Sequence, residues 1–175
     1  MTLTDGTHQQ LGDGRHQVRF ERRLSHPIDR VWAALTDPDE IEAWLARAEL
    51  DLRPGGRVHL MWLNTDEDGN RYEGADATGH VARLDPPNLL EYDTDNHGML
   101  SWELRADGDA TQLTFTATLH MPDEHVAMNV AGWHVHLDFL EEWLVDGTRV
   151  DWPNWPRERW QVHHDRYESS MRPIS

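Results

Sequence analysis

A succession of short alternating segments between residues 47 and 120 constrains the fold of this chain more than any other feature of its sequence. In one of them, the apolar side chains of Val58, Leu60 and Trp62 fall on one face, as expected for a half-buried strand. Turns rich in glycine, proline and aspartate separate the segments. The predicted strands are 17–24, 47–53, 58–63, 71–84, 89–94, 99–105 and 111–120. Because hairpin-linked strands pair antiparallel, we expect one antiparallel sheet of about six or seven strands.

Two short helices are predicted between the first strand and the rest of the sheet. The apolar side chains of residues 28–35 recur with helical spacing, and Ser25 is the expected N-cap of this helix. Asp37 ends the first helix and is the expected cap of the second, with Glu40 three residues further on in a variant of the capping box.

One long helix is predicted after the last strand, at residues 126–146. Its central apolar stripe is formed by Trp133, Leu137, Leu140 and Leu144. His136 and Trp143 lie beside this stripe, and Gly147 is expected to end the helix. Because a sheet with an apolar face needs a covering layer, we expect an α+β fold in which a curved antiparallel sheet wraps around this helix.

Composition argues against several classes of function. The chain has 175 residues, a formal net charge of −16 and no cysteine. The length fits one domain with a hydrophobic core, and the charge argues against nucleic acid as a partner. The absence of cysteine excludes disulfides and thiol catalysis. The sequence contains neither a signal-peptide core nor a membrane-spanning stretch, so we expect no membrane partner and a cytoplasmic location.

Several motifs occur in an order that resembles a known family. They are HPIDRVWAALTDPDEIEAWL, RPGGRV, GHVARLDPPNLLEY, TQLTFT and AGWHVHLDFLEEWL. Over residues 18–144 the chain resembles the bacterial branch of the activator-of-heat-shock-protein-ATPase family, in the START/SRPBCC superfamily. The resemblance implies a helix-grip fold with a cavity between the sheet and the long helix. The expected organisation is a flexible N-terminus at 1–15, the START/SRPBCC domain at 16–148, and a Trp/Pro linker with a C-terminal helix at 149–175.

The resemblance also implies that the cavity binds a small apolar or aromatic molecule. The residues expected to bind it are Trp62, Trp102, Phe115, His136, Leu140 and Trp143. Two other functions remain open. One is a cyclase or hydrolase in which His136 moves a proton. The other is a protein-interaction module that regulates a chaperone, since the family takes its name from eukaryotic co-chaperones. The sequence does not identify catalytic residues.

The histidines do not predict a metal site. His134 and His136 are two residues apart on the long helix and point about 160° away from each other, so they cannot chelate one ion. His163 and His164 are expected at the surface. We therefore predict neither a bound metal nor a cofactor.

The C-terminal segment predicts a second amphipathic helix after the sequence DWPNWP. Its aromatic face consists of Trp160, His164, Tyr167 and Met171. Because so short a helix is marginal in water, it must dock on something. It either closes the cavity as a lid, extends the core, or joins two copies in a homodimer. The aromatic stripe between arginines resembles an interface and favours the homodimer slightly.

Overall fold

Eight antiparallel strands form a single curved sheet in the computed structural model, which describes residues 5–171. The strands are β1 (Thr7–Gln10), β2 (Arg15–Leu24), β3 (Ala46–Leu50), β4 (Arg57–Trp62), β5 (Ala77–Asp85), β6 (Leu89–Thr94), β7 (Gly98–Asp107) and β8 (Ala110–His120). The helices are α1 (Ile28–Thr36), α2 (Pro38–Trp44), α3 (Val126–Asp146) and α4 (Arg157–Met171). Short 3₁₀ turns at Asp123–His125 and Trp152–Asn154 precede α3 and α4. The expected α+β helix-grip fold is confirmed.

The strand order brings aromatic residues together beneath α3. The order is β1-β2-β8-β7-β6-β5-β4-β3, so β2 lies beside β8 although the chain between them forms the rest of the sheet. Phe115 of β8 pairs with Phe20 of β2 on one side and with Trp102 of β7 on the other. Because directly opposite residues point to the same face of a sheet, these three rings form a row across it.

Aromatic side chains fill the space between the middle of the sheet and α3. The ring of Phe115 lies 4.2 Å from that of Trp102 and 4.3 Å from that of Trp133 in α3, measured between centroids. Trp44 of α2 meets Trp102 edge-on at 5.8 Å and donates its indole N–H to the carbonyl oxygen of Ala34. Each buried aromatic removes roughly 150–250 Å² from water, so this cluster is a main source of stability.

The ends of the helices lie where the capping residues in the sequence predict them, with one exception. The predicted bounds of α3 are confirmed, and Gly147 ends the helix with a φ of 74°. Asp37 caps α2 by accepting a hydrogen bond from the backbone N–H of Asp39 at 2.9 Å. The prediction that Ser25 caps α1 is wrong, because Pro27 occupies the N-cap position and no side chain bonds there. No helix within residues 5–171 has both the length and the apolarity needed to cross a membrane.

The N-terminal segment forms one more strand than the sequence predicted. Residues 7–10, expected to be flexible, pair with β2 as the edge strand β1. The backbone N–H of Gly6 also donates to the hydroxyl of Tyr167 in α4 at 2.8 Å. This segment is polar and exposed. It is ordered by its pairing with β2 and by the bond to the C-terminal helix.

The loop after β4 is longer than predicted. The expected strand at 71–84 begins only at residue 77, and residues 63–76 run outside the sheet. Gly69 and Gly74 have φ values of 81° and 70°, which an extended strand does not accommodate. This loop approaches α3 and α4 at one end of the sheet.

Candidate functional site

A cavity of about 450 Å³ opens between the first half of α3, the loop after β4 and the start of α4. Its apolar wall is formed mainly by Trp62, Trp133, Trp155 and Trp160. Its polar groups come from Asn64, His97, Asn129, His136, Arg157 and Gln161. Tyr72 and Met128 form the rim and are about half exposed. The volume lies in the usual range of small-molecule sites, roughly 300–1,000 Å³.

A second depression, of about 470 Å³, lies on the outer side of the same loop. Charged groups dominate its lining, among them Arg71, Glu73, Asp76 and Asp95. Tyr72 is its one large apolar residue, so it cannot enclose an apolar molecule. The tryptophan-lined cavity is therefore the candidate site.

Trp62 stands at the end of β4, where the sheet stops and the loop begins. Its ring meets the edge of Trp133 at 5.8 Å, with an interplanar angle of 82°, and lies 5.9 Å from the ring of His136. The side chain is only partly buried. It thus separates the filled core beneath α3 from the open cavity.

His136 presents a neutral imidazole at the cavity wall. Its Nδ1–H donates to the carbonyl oxygen of Gly132, one turn earlier in α3, at 2.7 Å. Burial lowers the pKa of His136 to about 4, so Nε2 keeps its lone pair near neutral pH. Nε2 lies 3.2 Å from the side-chain oxygen position of Asn64. Because two acceptors cannot bond each other, the Asn64 amide has to present its NH₂ group there.

His97 connects the cavity wall to the loop. Its Nε2 lies 3.1 Å from the indole nitrogen of Trp62 and 2.6 Å from the carbonyl oxygen of Ala75. Burial lowers the pKa of His97, so the ring is neutral and Nε2 either donates to the carbonyl or accepts from the indole. Only one of those two contacts is therefore a hydrogen bond to His97 in either tautomer.

The segment after α3 closes the cavity from outside. Trp152 is buried and donates its indole N–H to the carbonyl oxygen of Glu42 at 2.8 Å, which fixes the linker. Trp155 and Arg157 both donate to the carbonyl oxygen of Thr65, at 2.9 and 2.8 Å. The predicted C-terminal helix is confirmed, and it docks on its own chain beside the cavity.

The structure places only two of the six predicted ligand-binding residues, Trp62 and His136, in the cavity wall. Trp102, Phe115 and Leu140 are fully buried, because they fill the space between the sheet and α3 where the cavity was expected. Trp143 faces away from the cavity and donates its indole N–H to Glu40 at 2.9 Å. None of these four residues lines this cavity.

Several residues of the wall were not predicted. They are Asn64, His97, Asn129, Trp133, Trp155, Arg157 and Trp160. Most of them belong to the loop after β4 or to the C-terminal segment. No periodic pattern in the sequence indicates that these segments pack against α3. The two tryptophans of DWPNWP were the feature of the sequence that could have indicated a packed segment here, because linkers rarely carry such large apolar side chains.

The expectation that His163 lies at the surface is also wrong. Its side chain is only 14% exposed, and its Nε2 lies 2.9 Å from a carboxylate oxygen of Asp138 in α3. His164, one residue on, is partly exposed and stacks on Trp160. The packing of α4 against α3, which the sequence could not specify, buries the first of these two rings.

Comparison with known proteins agrees with this architecture. The family model described as Activator of Hsp90 ATPase homolog 1-like protein matches residues 25–145. Among solved structures, CalU16 from Micromonospora echinospora is 22% identical, with a TM-score of 0.69 over 96% of this chain and 98% of its own. A protein from Bordetella parapertussis is 27% identical, with a TM-score of 0.64 over 100% and 97%.

DynU16, from the dynemicin biosynthetic locus, is 24% identical with a TM-score of 0.62, over 77% of this chain and 50% of its own. At such identities the likeness to CalU16 and DynU16 shows a shared fold. No curated protein matches the sequence.

Proposed function

Because this chain belongs to the Activator of Hsp90 ATPase homolog 1-like protein family, we propose that it binds a small, mainly aromatic or apolar molecule that carries a hydrogen-bond donor. The observation that carries the proposal is the cavity walled by four tryptophans at the open end of the sheet. Sites for small molecules are typically apolar and aromatic, with a few polar groups that fix the orientation of the ligand.

The polar groups of the cavity favour a ligand that donates a hydrogen bond. The side-chain oxygen of Asn129 is buried and has no hydrogen-bond partner within residues 5–171. A buried acceptor without a partner costs about 1–3 kcal/mol, which a donor on the ligand would recover once the side chains that cover this oxygen move aside. The ring of His136 is neutral, and the positive charge of Arg157 is offset by Glu67, which also lines the cavity and lies 3.5 Å from it, so the wall suits an uncharged aromatic.

The relatives give indirect support. DynU16 shares the fold and comes from a biosynthetic locus, which is consistent with a small-molecule role on this scaffold. A cyclase- or hydrolase-type reaction remains the second candidate; in it His136 would accept a proton at Nε2 after a substrate displaces the Asn64 amide from that nitrogen. A cytoplasmic location, a homodimer and a chaperone-regulating role stay predictions from the sequence. Sedimentation of the full chain tests the homodimer.

Filling the cavity from Gly132 tests the binding proposal. An added Cβ at Gly132 meets no atom within 4 Å, and the residue lines the cavity in the middle of α3. Gly132→Leu should therefore occupy the cavity and also improve helix propensity by several tenths of a kcal/mol or more. We expect it to abolish binding of N-phenyl-1-naphthylamine, an aromatic fluorophore with one N–H, without loss of thermal stability.

The control is Val145→Leu, at a position of α3 that is 72% exposed and distant from the cavity. This variant should bind the fluorophore as the wild type does. Unchanged binding by a folded Gly132→Leu variant would show that the fluorophore binds elsewhere and would refute the proposed site.

A further inference from the structure

A second group of functional side chains lies between α3 and α4, away from the cavity. His134 and Asp138 are separated by four residues on α3, so both point to the same side of the helix, and His163 faces them from α4. The side chains of His134 and Asp138 are 1% and 7% exposed. Histidine and carboxylate ligands on adjacent rigid helices are the donor set of many transition-metal sites.

The distances show that the three side chains lie close enough to bind one ion but are not arranged around a common point. Nε2 of His134 lies 3.6 Å from Oδ1 of Asp138, and Nε2 of His163 lies 2.9 Å from Oδ2. One ligand atom from each residue falls within 4.8 Å of the others. Around a tetrahedral ion with bonds of about 2.0–2.1 Å, ligand atoms lie roughly 3.3–3.5 Å apart. The ligand atoms therefore lie near the spacing that one shared ion requires, although the His163 ring has to reorient to bind it.

Two buried atoms of this group have no hydrogen-bond partner among the described residues, and one of them forms a long ion pair of 3.9 Å with Arg22. Within residues 5–171, neither Nε2 of His134 nor Oδ1 of Asp138 has a hydrogen-bond partner, although both are buried. A distance of 3.6 Å is too long for a hydrogen bond between them. Native proteins rarely leave two such atoms facing each other, because each costs about 1–3 kcal/mol. A cation between the two atoms satisfies both.

A metal at Nε2 of His134 requires one of the two neutral tautomers of its ring. Nδ1 lies 2.6 Å from the hydroxyl oxygen of Tyr167, which also accepts the backbone N–H of Gly6. The hydroxyl proton of Tyr167 can also donate to Nδ1, which places the ring hydrogen on Nε2, facing Asp138. Nε2 binds an ion in the other tautomer, in which Nδ1–H donates to the hydroxyl oxygen. Metal-binding histidines are normally oriented in this way by a partner on the other nitrogen.

The neighbouring charges leave room for a divalent cation. Arg22 lies 3.9 Å from Oδ1 of Asp138 through one of its terminal nitrogens, and its Nε lies 3.2 Å from the carboxylate of Glu141. Two carboxylates thus face one guanidinium before any ion binds. A cation beside Arg22 is repelled by it; Asp138 offsets that repulsion together with the ionised fraction of Glu141, whose pKa burial raises to about 7.

We propose that His134, Asp138 and His163 form a binding site for one divalent transition-metal ion of the zinc type. The rings of His134 and His163 are stacked at 3.7 Å, so the His163 ring has to turn to direct Nε2 at an ion shared with His134. Its Nε2 proton moves to Nδ1, and Arg166, which lies 3.2 Å from Nδ1 and is half exposed, moves away. The ion would join α4 to α3 and thereby hold the cavity closed.

Zinc titration of chelator-treated protein by calorimetry tests the site. We expect one zinc ion bound by wild type, and an affinity at least about tenfold weaker in His163→Gln, because even partners outside the ligand sphere change metal affinity by about 10–100-fold. The matched control is His164→Gln, the adjacent residue, which should keep wild-type affinity. Zinc should raise the melting temperature of the wild type and of the control, but not that of His163→Gln.

A measurement on the wild type avoids dependence on how the variants fold. Cobalt(II) bound by two imidazoles and a carboxylate in a four- or five-coordinate site gives visible absorption bands far stronger than those of the hydrated ion. We expect these bands to saturate at one equivalent. If they do not develop, or if His163→Gln binds zinc as tightly as the wild type, the proposal is refuted and the two open atoms bind water instead.

Discussion

The indole N–H of Trp155 donates to the carbonyl oxygen of Thr65 at 2.9 Å, so the segment after the long helix is tied to the loop after β4. The two residues are ninety positions apart in the chain. This bond closes one side of the cavity, and Arg157 strengthens it by donating to the same carbonyl oxygen. Two residues that close the cavity, Trp155 and Arg157, therefore lie outside the residues that match the family model, whereas their partner Thr65 lies within them.

Replacing Trp155 should open the cavity. Trp155→Ala removes both the aromatic wall and the bond to Thr65, and we expect binding of N-phenyl-1-naphthylamine to weaken by about tenfold or more, equivalent to at least ~1.4 kcal/mol. Trp155→Phe keeps an aromatic wall but lacks the N–H, so its loss should be smaller. Fluorescence titration measures both, and equal affinities for all three proteins would contradict the assigned wall.

The unpartnered side-chain oxygen of Asn129 should make the cavity prefer ligands that donate a hydrogen bond. Asn129→Leu has a similar shape but no acceptor, so we expect N-phenyl-1-naphthylamine to bind about 3–10-fold more weakly, as for a loss of one hydrogen bond. The N-methylated form of the same fluorophore lacks the donor and should bind wild type and variant equally. A similar loss for both fluorophores would show that Asn129 contributes only packing.

Trp133 should be the most important single side chain of α3 for stability. It contacts Phe115 at 4.3 Å, Trp62 at 5.8 Å and Trp102 at 6.1 Å between ring centroids. Trp133→Ala should lower the free energy of unfolding by about 3–5 kcal/mol, as other large truncations in cores do. A urea titration that shows a loss under about 1 kcal/mol would contradict this packing. Val145→Ala, on the exposed side of α3, is the control and should change little.

Acidification should destabilise the protein through its buried neutral histidines. Burial lowers the pKa of His136 to about 4, whereas an unfolded histidine has a pKa of about 6.5. Below pH 6.5 the unfolded chain binds a proton that folded His136 does not, so stability is fully present above 6.5 and is lost as the pH falls towards 4. The loss from this residue is at most about 3 kcal/mol.

The measurement is the free energy of unfolding in urea between pH 4 and pH 7, with a chelator present. His136→Gln should show a flatter pH dependence than the wild type, while substitution of the exposed His125 by glutamine should leave the slope unchanged. An identical slope in all three proteins would show that His136 has the same pKa in the folded and unfolded states and would contradict its burial as a neutral ring.

The sequence predicted regular structure well where periodicity is strong. The alternation around Leu100, Trp102 and Leu104 gave strand β7, and the stripe that begins at Trp133 gave the bounds of α3. Residues 71–76 were misassigned, because a polar segment with one glycine is consistent with either an edge strand or a loop. β1 was missed for the opposite reason, since its exposed residues are ordered only by pairing with β2.

The candidate site was harder to predict than the fold. Alternation showed that Trp62 and Trp102 each lie on an apolar face, but it could not show which of them is in the filled core and which is at the cavity. Trp102 belongs to the central strand β7 and packs on Phe115 beneath α3, whereas Trp62 ends β4 at the open end of the sheet. The spacing of His134 and His136 correctly excluded a site shared by those two residues, but it could not indicate that His163 would approach His134 from another helix.

The sequence by itself determined the order of strands and helices, the two apolar faces that must meet, and the amphipathic helix at the C-terminus. These features depend on neighbours along the chain, whose spacing fixes which side chains share a face. Only the tertiary structure decided that the aromatic residues beneath α3 fill the core, that the cavity lies at its end, and that α4 folds back over α3. Those outcomes depend on contacts such as Trp155 with Thr65 and His163 with Asp138, between segments whose separation along the chain carries no periodic signal.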